Sequence, residues 1–153
     1  MLRVTKLTDY ASVVLTVLAT ETEAVLSATG LAERAGLEAT TVAKVLKPLA
    51  QAGLVQAFRG VNGGYRLARA PSEISLVEIV EAIEGPLAIT ECSIHDSHCE
   101  IEHSCSARAN WRRINDVVAD VLRKVSLADM LSPAPALAAA SPRKTIPLAL
   151  DAN

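Results

Sequence analysis

The pattern of apolar and polar residues predicts a chain built mainly of helices. In the segment TDYASVVLTVLA, apolar residues recur every three or four positions, which predicts an amphipathic helix capped by Thr8 or Asp9. The segment from Ser27 to Gly36 predicts a second, short helix, because serine favours helix starts and glycine favours helix ends. After the turn GLEA, the segment TTVAKVLKPLAQAG predicts a third helix, which Pro48 is expected to bend. Two helices joined by a tight turn that contains glycine are typical of a helix-turn-helix.

The next segment, LVQAFRGVNGGYRLAR, predicts a β-hairpin. Two short strands, at about residues 54–58 and 65–68, flank a glycine-rich loop that contains the turn signal Asn62-Gly63. A hairpin directly after the second helix of a helix-turn-helix makes the unit a winged helix. The arginines that give this wing its positive charge are Arg59, Arg66 and Arg69.

The second half of the chain predicts a linker helix, a cysteine segment and a long helix. SLVEIVEAIEG has one apolar face, and apolar residues recur at helical spacing over about residues 107–131. A helix of roughly 25 residues is about twice the usual length, and its apolar stripe has no obvious partner within the chain, which favours a homodimer. Residues 132–153 are rich in proline and alanine, which predicts a disordered tail.

These elements predict a fold that is mainly α with a small β wing: a winged helix-turn-helix followed by a long C-terminal dimerisation helix. The predicted units are a winged helix-turn-helix DNA-binding domain at 1–70, a linker helix and cysteine loop at 71–105, a dimerisation helix at 106–131 and a tail at 132–153.

Charge is distributed unevenly along the chain, although the net charge is only −2. Residues 1–70 hold 8 basic and 5 acidic side chains, whereas residues 71–105 hold 8 acidic side chains and no Lys or Arg. A basic first half favours contact with nucleic acid. No apolar run approaches the roughly 18 residues needed to span a bilayer, so we expect no membrane segment and a cytoplasmic protein.

All three cysteines and all three histidines lie in the segment ECSIHDSHCEIEHSC, residues 91–105. The cysteines are spaced C-x6-C-x5-C, wider than the C-x2–4-C pairs of most structural zinc sites. Thiolates are the standard ligands of iron–sulfur clusters, and three of them leave one position for another ligand. The alternatives are a zinc site made from a mixed set such as His95, Cys99, His103 and Cys105, a thiol redox switch, or buried cysteines without chemistry. His98 adjoins Cys99, but no oxyanion element or orienting partner is recognisable, so we do not expect an enzyme.

The opening LTDYASVVLTVLA, the wing RGVNGGYRLAR and the three-cysteine segment together resemble the IscR/NsrR (Rrf-two) family of bacterial winged-helix transcription regulators. The resemblance runs over about residues 1–131, and the opening is most similar to regulators of the SUF iron–sulfur assembly system. It implies a homodimer and a cluster ligated by Cys92, Cys99 and Cys105.

The fourth ligand divides the family that the chain resembles. One branch uses a histidine three residues after the last cysteine, where this chain has Arg108. The nitric-oxide-sensing branch uses an aspartate at the start of the first helix of the partner subunit, and the sequence TDY puts Asp9 at that place. His98 and His103 remain rival ligands, and a plain helix cap is the alternative for Asp9. An aspartate ligand favours a 4Fe–4S cluster, with 2Fe–2S possible.

The winged helix implies double-stranded DNA as a partner. Base contacts are expected from Thr40, Thr41 and Lys44, and Arg59 is expected to reach the minor groove. A glutamate reads bases in one branch at the position of Ala43, so that branch's operator sequence is not expected here.

The function implied by the resemblance is repression of iron–sulfur assembly genes from a roughly palindromic operator, in response to cluster status, oxidative stress or nitric oxide. The alternative is a zinc-stabilised or thiol-redox module without a cluster.

Overall fold

Helices account for most of the described part of the chain, which in this computed structural model comprises residues 3–93, 99 and 104–132. A two-stranded antiparallel sheet follows the third helix. The elements are α1 (Lys6–Thr20), α2 (Ala28–Ala35), α3 (Ala39–Gln51), β1 (Val55–Phe58), β2 (Gly64–Leu67), α4 (Leu76–Glu84), α5 (Arg108–Lys124) and α6 (Leu127–Leu131). The prediction of a mainly helical fold with a small β wing is confirmed.

Local signals in the sequence determine the helix-turn-helix. The Ser27 hydroxyl accepts a hydrogen bond from the Gly30 amide at 3.1 Å and so caps α2. Gly36 ends α2 in the left-handed conformation, with φ 64°, which glycine adopts without steric cost. Pro48 lies inside α3, and the helix continues beyond it to Gln51.

The hydrophobic core is aliphatic and lies among α1, α2 and α3. Residues of all three helices are almost completely shielded from solvent, and β1, β2 and α4 add to the same core. The largest of its fully buried side chains in α1, α2 and α3 are Leu15, Leu18, Leu31, Leu46 and Leu49. Because burial of a leucine side chain stabilises a fold by about 1.5–3 kcal/mol, this core holds α3 firmly in place behind its exposed face.

The prediction of one helix over about residues 107–131 is wrong, because α5 ends at Lys124 and α6 begins at Leu127. Ser126 and Asp129 form a capping box that starts a new helix: the Ser126 hydroxyl accepts from the Asp129 amide at 3.1 Å, and the Asp129 carboxylate accepts from the Ser126 amide at 2.8 Å. The chain between the helices is also bonded to α4, since the Leu76 amide donates to the Val125 carbonyl at 2.8 Å. The predicted disordered tail lies outside the described residues from position 133 onward.

The first helix starts earlier than the sequence predicts. Thr5 is its cap, and the Thr5 hydroxyl accepts from the Thr8 amide at 3.4 Å. Neither Thr8 nor Asp9 caps the helix, so the prediction of a cap at those positions is wrong. Thr8 is instead 2% exposed and donates its hydroxyl to the carboxylate of Glu84, at the end of α4. The same carboxylate accepts from the Thr5 amide at 2.8 Å, which ties the start of α1 to the end of α4.

Replacing Thr8 with Val should destabilise the protein by about 1–2 kcal/mol, because a hydrogen bond to a charged acceptor is lost while the side-chain shape is kept. The Thr8 hydroxyl and the Thr5 amide lower the pKa of Glu84 from 4.5. A lowered folded-state pKa gives stability that is complete above pH 4.5 and disappears as pH falls through the folded value. The difference between wild type and Thr8→Val in urea unfolding should therefore shrink in acid.

Thr16→Val is the matched control, since the Thr16 hydroxyl donates only within α1, to the Val13 carbonyl at 2.7 Å. An equal loss of stability in both variants would contradict the role assigned to the contact with Glu84.

None of the helices in the part of the chain that the structure describes combines the length and apolar character needed to cross a membrane.

Candidate DNA-binding face and cysteine segment

The first two turns of α3 expose the residues predicted to read DNA. Thr40 and Lys44 are exposed on adjacent turns of the helix, and Thr41 beside them is half-buried. The opposite face of α3 is held in the core, with Val42 and Val45 fully buried. Lys47 is also exposed, one turn after Lys44, and extends the positive face. Sequence reasoning missed Lys47, although its i, i+3 spacing from Lys44 was a signal for it.

The wing places its arginines in three different environments. Arg59 is exposed at the end of β1. The guanidinium of Arg66 lies over the ring of Phe58, 5.2 Å from its centroid, which is a cation–π contact. Arg69 is bonded to α4, with N–O distances of 2.7 Å to the Glu78 carboxylate and 3.0 Å to the Glu73 carbonyl. The prediction that Arg69 adds its charge to the wing therefore needs correction, because that charge is paired.

Cys92 is the best-defined cysteine of the chain. It lies in the short 3-10 turn Glu91–Ser93 and is 7% exposed. The Thr90 hydroxyl is 3.2 Å from the Cys92 sulfur and 3.0 Å from the Ser93 hydroxyl. A thiolate has no proton to donate, so with Cys92 ionised Thr90 would donate to the sulfur and accept from Ser93.

Two side chains of α5 hold the backbone around Cys92. The Arg112 Nε donates to the Cys92 carbonyl at 3.0 Å, and the Asn115 Oδ1 accepts from the Ile89 amide at 3.1 Å. Asn115 is 9% exposed, so its hydrogen bond is shielded from water. Arg112 and Asn115 lie three residues apart on one face of α5 and fix the segment that carries Cys92. Neither residue was identified from the sequence. A signal existed for Asn115, because it is a polar residue within the apolar pattern of α5.

The other two cysteines are half-buried, and none of the three forms a disulfide. Cys105 lies just before α5, where its carbonyl accepts from the Arg108 amide at 3.4 Å. Across residues 3–93, 99 and 104–132, no three His, Cys, Asp or Glu side chains are grouped to hold a metal ion. Three thiols outside any disulfide fit the donor chemistry of a cluster, but no three of the predicted ligands are grouped among the described residues. The rival ligands His95, His98 and His103 lie outside the described residues.

Asp9 lies in a groove between α1, α4, α5 and α6. The groove has a volume of about 770 Å³, and its lining includes Asp9, Glu84, Ile89, Val118 and Met130. Asp9 is exposed in the first turn of α1, where the positive end of the helix dipole stabilises its negative charge. Asp9 does not cap the helix, and it shares the groove with Ile89, which lies three residues before Cys92 in the sequence.

The face of α5 that points away from the core is apolar. Its side chains recur at three- and four-residue spacing and are between 40% and 57% exposed. They are Trp111, Ile114, Val117 and Val121. A contiguous exposed apolar stripe on a helix is typical of a surface that pairs with another helix.

Comparisons with known proteins agree with this architecture. The model of the Rrf2 family, described as "Iron-dependent Transcriptional regulator", matches residues 4–133. Protein aau3 of Rhizobium meliloti strain 1021 is 33% identical over 135 residues, which cover 88% of each chain.

Two solved structures are similar in both fold and sequence. CymR of B. subtilis, described as the global cysteine regulator, is 30% identical, with a TM-score of 0.67 over 86% of this chain and 97% of that one. The IscR of T. potens is also 30% identical, with a TM-score of 0.63 over 85% of this chain and 86% of that one. With a family model over most of its length and a winged helix whose reading face is exposed, this chain belongs to the Rrf2 (Rrf-two) family of DNA-binding transcription regulators.

Proposed function

We propose that this regulator is a homodimeric repressor of iron–sulfur assembly genes, which binds an iron–sulfur cluster through Cys92, Cys99 and Cys105 and acts on DNA in the cytoplasm. The fourth ligand is the partner subunit's Asp9, and the cluster is 4Fe–4S. Cys92, Cys99, Cys105 and the partner's Asp9 would hold the cluster, which would supply a redox-active group, and its loss under oxidative or nitric oxide stress would be the signal.

The observation that carries this proposal is the fixed position of Cys92 against α5. Arg112 and Asn115 hold the backbone of the cysteine segment on one face of α5, while the neighbouring face of the same helix is the apolar stripe. A change at the sulfur of Cys92 therefore acts on the helix that forms the proposed dimer. The contact between Glu84 and Thr8 continues this connection from α4 to α1, and α1 packs on α3.

DNA contact is assigned to both parts of the winged helix. Thr40, Thr41 and Lys44 of α3 face the major groove, and Arg59 of the wing faces the minor groove. A homodimer presents two such units, which favours two half-sites in a roughly palindromic operator.

A second candidate is a regulator that responds through its thiols without a cluster. It is favoured by the absence of a preformed group of three metal ligands among the described residues and by the similarity to a global cysteine regulator. Oxidation of a cysteine to a sulfenic acid or a disulfide would then be the signal.

Anaerobic purification of the full chain separates the two candidates. The proposal expects a brown protein with iron and acid-labile sulfide in near-equal amounts, and DNA affinity that changes when the cluster is removed. A colourless protein without iron, whose DNA affinity changes on mild thiol oxidation, supports the second candidate. Stoichiometric zinc in place of iron would contradict both.

Replacing Arg59 with Ala should weaken binding to duplex DNA and reduce its salt dependence. Loss of one phosphate or groove contact per protomer lowers the slope of log affinity against log salt by about one for each protomer. The measurement is fluorescence anisotropy, at several salt concentrations, with duplexes that the wild-type protein has selected from a random pool.

Arg123→Ala is the control for this change, because Arg123 is an exposed arginine of α5 paired with Asp120 at 2.6 Å. If Arg59→Ala binds with the wild-type affinity and slope, the wing does not contact DNA.

A further inference from the structure

The tip of the wing carries an exposed apolar residue to which the proposed function gives no role. Val61 is 105% exposed, and residues 59–62 are all exposed. Single exposed apolar residues are common on protein surfaces, so the exposure of Val61 assigns nothing by itself. The frame around Val61 and the charges beside it are what point to a partner.

Glycines give the tip a closed shape. Gly60 has a φ of 108°, a conformation that other residues rarely adopt. The Gly63 amide donates to the Gly60 carbonyl at 2.9 Å. A Cβ on Gly63 would lie only 2.6 Å from the Phe58 carbonyl oxygen, so the loop closes tightly because it lacks one. The tip is therefore shaped by its backbone and does not depend on packing of Val61.

The base of the wing is fixed to the body of the protein. Tyr65 and Leu26 exchange two backbone hydrogen bonds, at 2.8 and 2.9 Å. Gly64 approaches the same segment so closely that a Cβ there would clash with the Leu26 carbonyl oxygen. With its base fixed and its tip closed, the wing holds Val61 away from the core.

The surroundings of Val61 are polar and cationic. Arg59 and Asn62 flank the tip, Arg66 of β2 adds a second positive charge, and the segment from 54 to 69 contains no Asp or Glu. An apolar tip within a cationic frame suits a partner that is anionic outside and apolar within. The minor groove of DNA has this character, since phosphates line its edges while sugars and base edges form its walls and floor. Proteins that enter the minor groove combine arginine or asparagine with an apolar side chain that separates base pairs.

We propose that Val61 inserts into the minor groove of the operator and contacts the sugars and base edges of one flexible base step. Pyrimidine–purine steps such as TA and CA unstack most readily, so Val61 selects such a step where the wing meets DNA. The inference rests on the proposed DNA contact of the wing and adds a second, uncharged source of specificity beside Arg59.

The test compares wild type with the variants Val61→Ser and Val61→Ile. Each full-length protein selects its preferred sites from short duplexes with a randomised centre, and the selected duplexes are sequenced. Wild type and Val61→Ile should enrich TA or CA steps at a fixed distance from the sequence read by α3, and Val61→Ser should not. On the wild-type duplex, Val61→Ser should bind about fivefold more weakly, as the loss of one or two buried methyl groups implies. Its salt dependence should stay unchanged, because no charge is lost.

Two outcomes would overturn the inference: Val61→Ser that keeps the wild-type affinity and step preference, or wild type that enriches no step outside the α3 contacts. Both outcomes concern Val61 alone. Whether the wing contacts DNA at all is tested separately by Arg59→Ala. If Arg59→Ala weakens binding and Val61→Ser does not, the wing contacts DNA through its charges alone.

Discussion

Replacing Val121 with Glu should convert the proposed homodimer to monomers and weaken binding to duplex DNA by about 100-fold or more, because two linked half-site contacts would become one. Val121 is 57% exposed at the C-terminal end of the apolar stripe of α5, so the protomer does not need it for its own core. In a helix pair the same position is buried, and a carboxylate there would lose its hydration without gaining a partner. Sedimentation measures the mass of the particle, and fluorescence anisotropy measures the affinity.

Ala109→Glu is the matched control, because Ala109 is exposed on α5 and lies roughly 120° around the helix from Val121. It adds the same charge to the same helix outside the stripe and should leave the dimer intact. Circular dichroism should show both variants folded. A Val121→Glu protein that still sediments as a dimer would show that the stripe is not the dimer surface.

The sequence predicts elements well where the signals are local. Ser27 and Gly36 bound α2 as expected, and Ser75 starts α4 with a capping box to Glu78. Each signal acts over three or four residues, so it can be read from a short window of sequence. The hairpin is also determined by a local signal, because the turn residues between β1 and β2 determine its shape.

Where the sequence misleads, contacts between distant residues decide the structure. Thr8 looked like a helix cap, but it is buried against Glu84, which is 76 positions away in the chain. Arg69 was predicted to add positive charge to the wing, but it is paired with Glu78 of α4. The capping box at Ser126 was visible in the sequence, yet the apolar period continued across it. The bond from Leu76 to the Val125 carbonyl, which separates α5 from α6, was not visible.

The exposure of the predicted site residues also follows from local signals. The apolar period of α3 predicts that Thr40 and Lys44 are exposed, as they are, while their contact with DNA and the ligand role of the clustered cysteines stay predictions. The roles of Arg112 and Asn115 depend on α5 packing against residues 89–92, some 20 positions earlier, and no local pattern encodes that contact. Assembly of the proposed ligands would also depend on contacts between distant residues, including contacts between the subunits of the proposed homodimer.

Replacing Cys92 with Ser should remove nearly all cluster iron and sulfide, and with them the difference in DNA binding between cluster-containing and cluster-free protein. A serine hydroxyl keeps the shape of the buried side chain but ionises far less readily than a thiol, so it replaces a cluster ligand poorly. We expect Cys99, Cys105 and one further ligand to hold the proposed cluster too weakly to retain it. Iron and acid-labile sulfide per protomer, measured after anaerobic reconstitution, give the result directly.

Asp9→Ala should have a smaller effect, because it would remove one proposed oxygen ligand and leave all three proposed cysteine ligands. We expect this variant to form a cluster that is lost faster on dilution, while its cysteines remain unchanged. Ser106→Ala is the control for both variants, since Ser106 is exposed beside Cys105. Full iron content in Cys92→Ser would exclude Cys92 as a ligand, whereas wild-type cluster stability in Asp9→Ala would exclude Asp9 alone. A wild-type protein that takes up no iron, and whose DNA affinity falls on thiol oxidation unless Cys92 is replaced, would instead make the thiol of Cys92 the sensor. The hydroxyl of Thr90, 3.2 Å from that sulfur, contacts the reacting atom in either case.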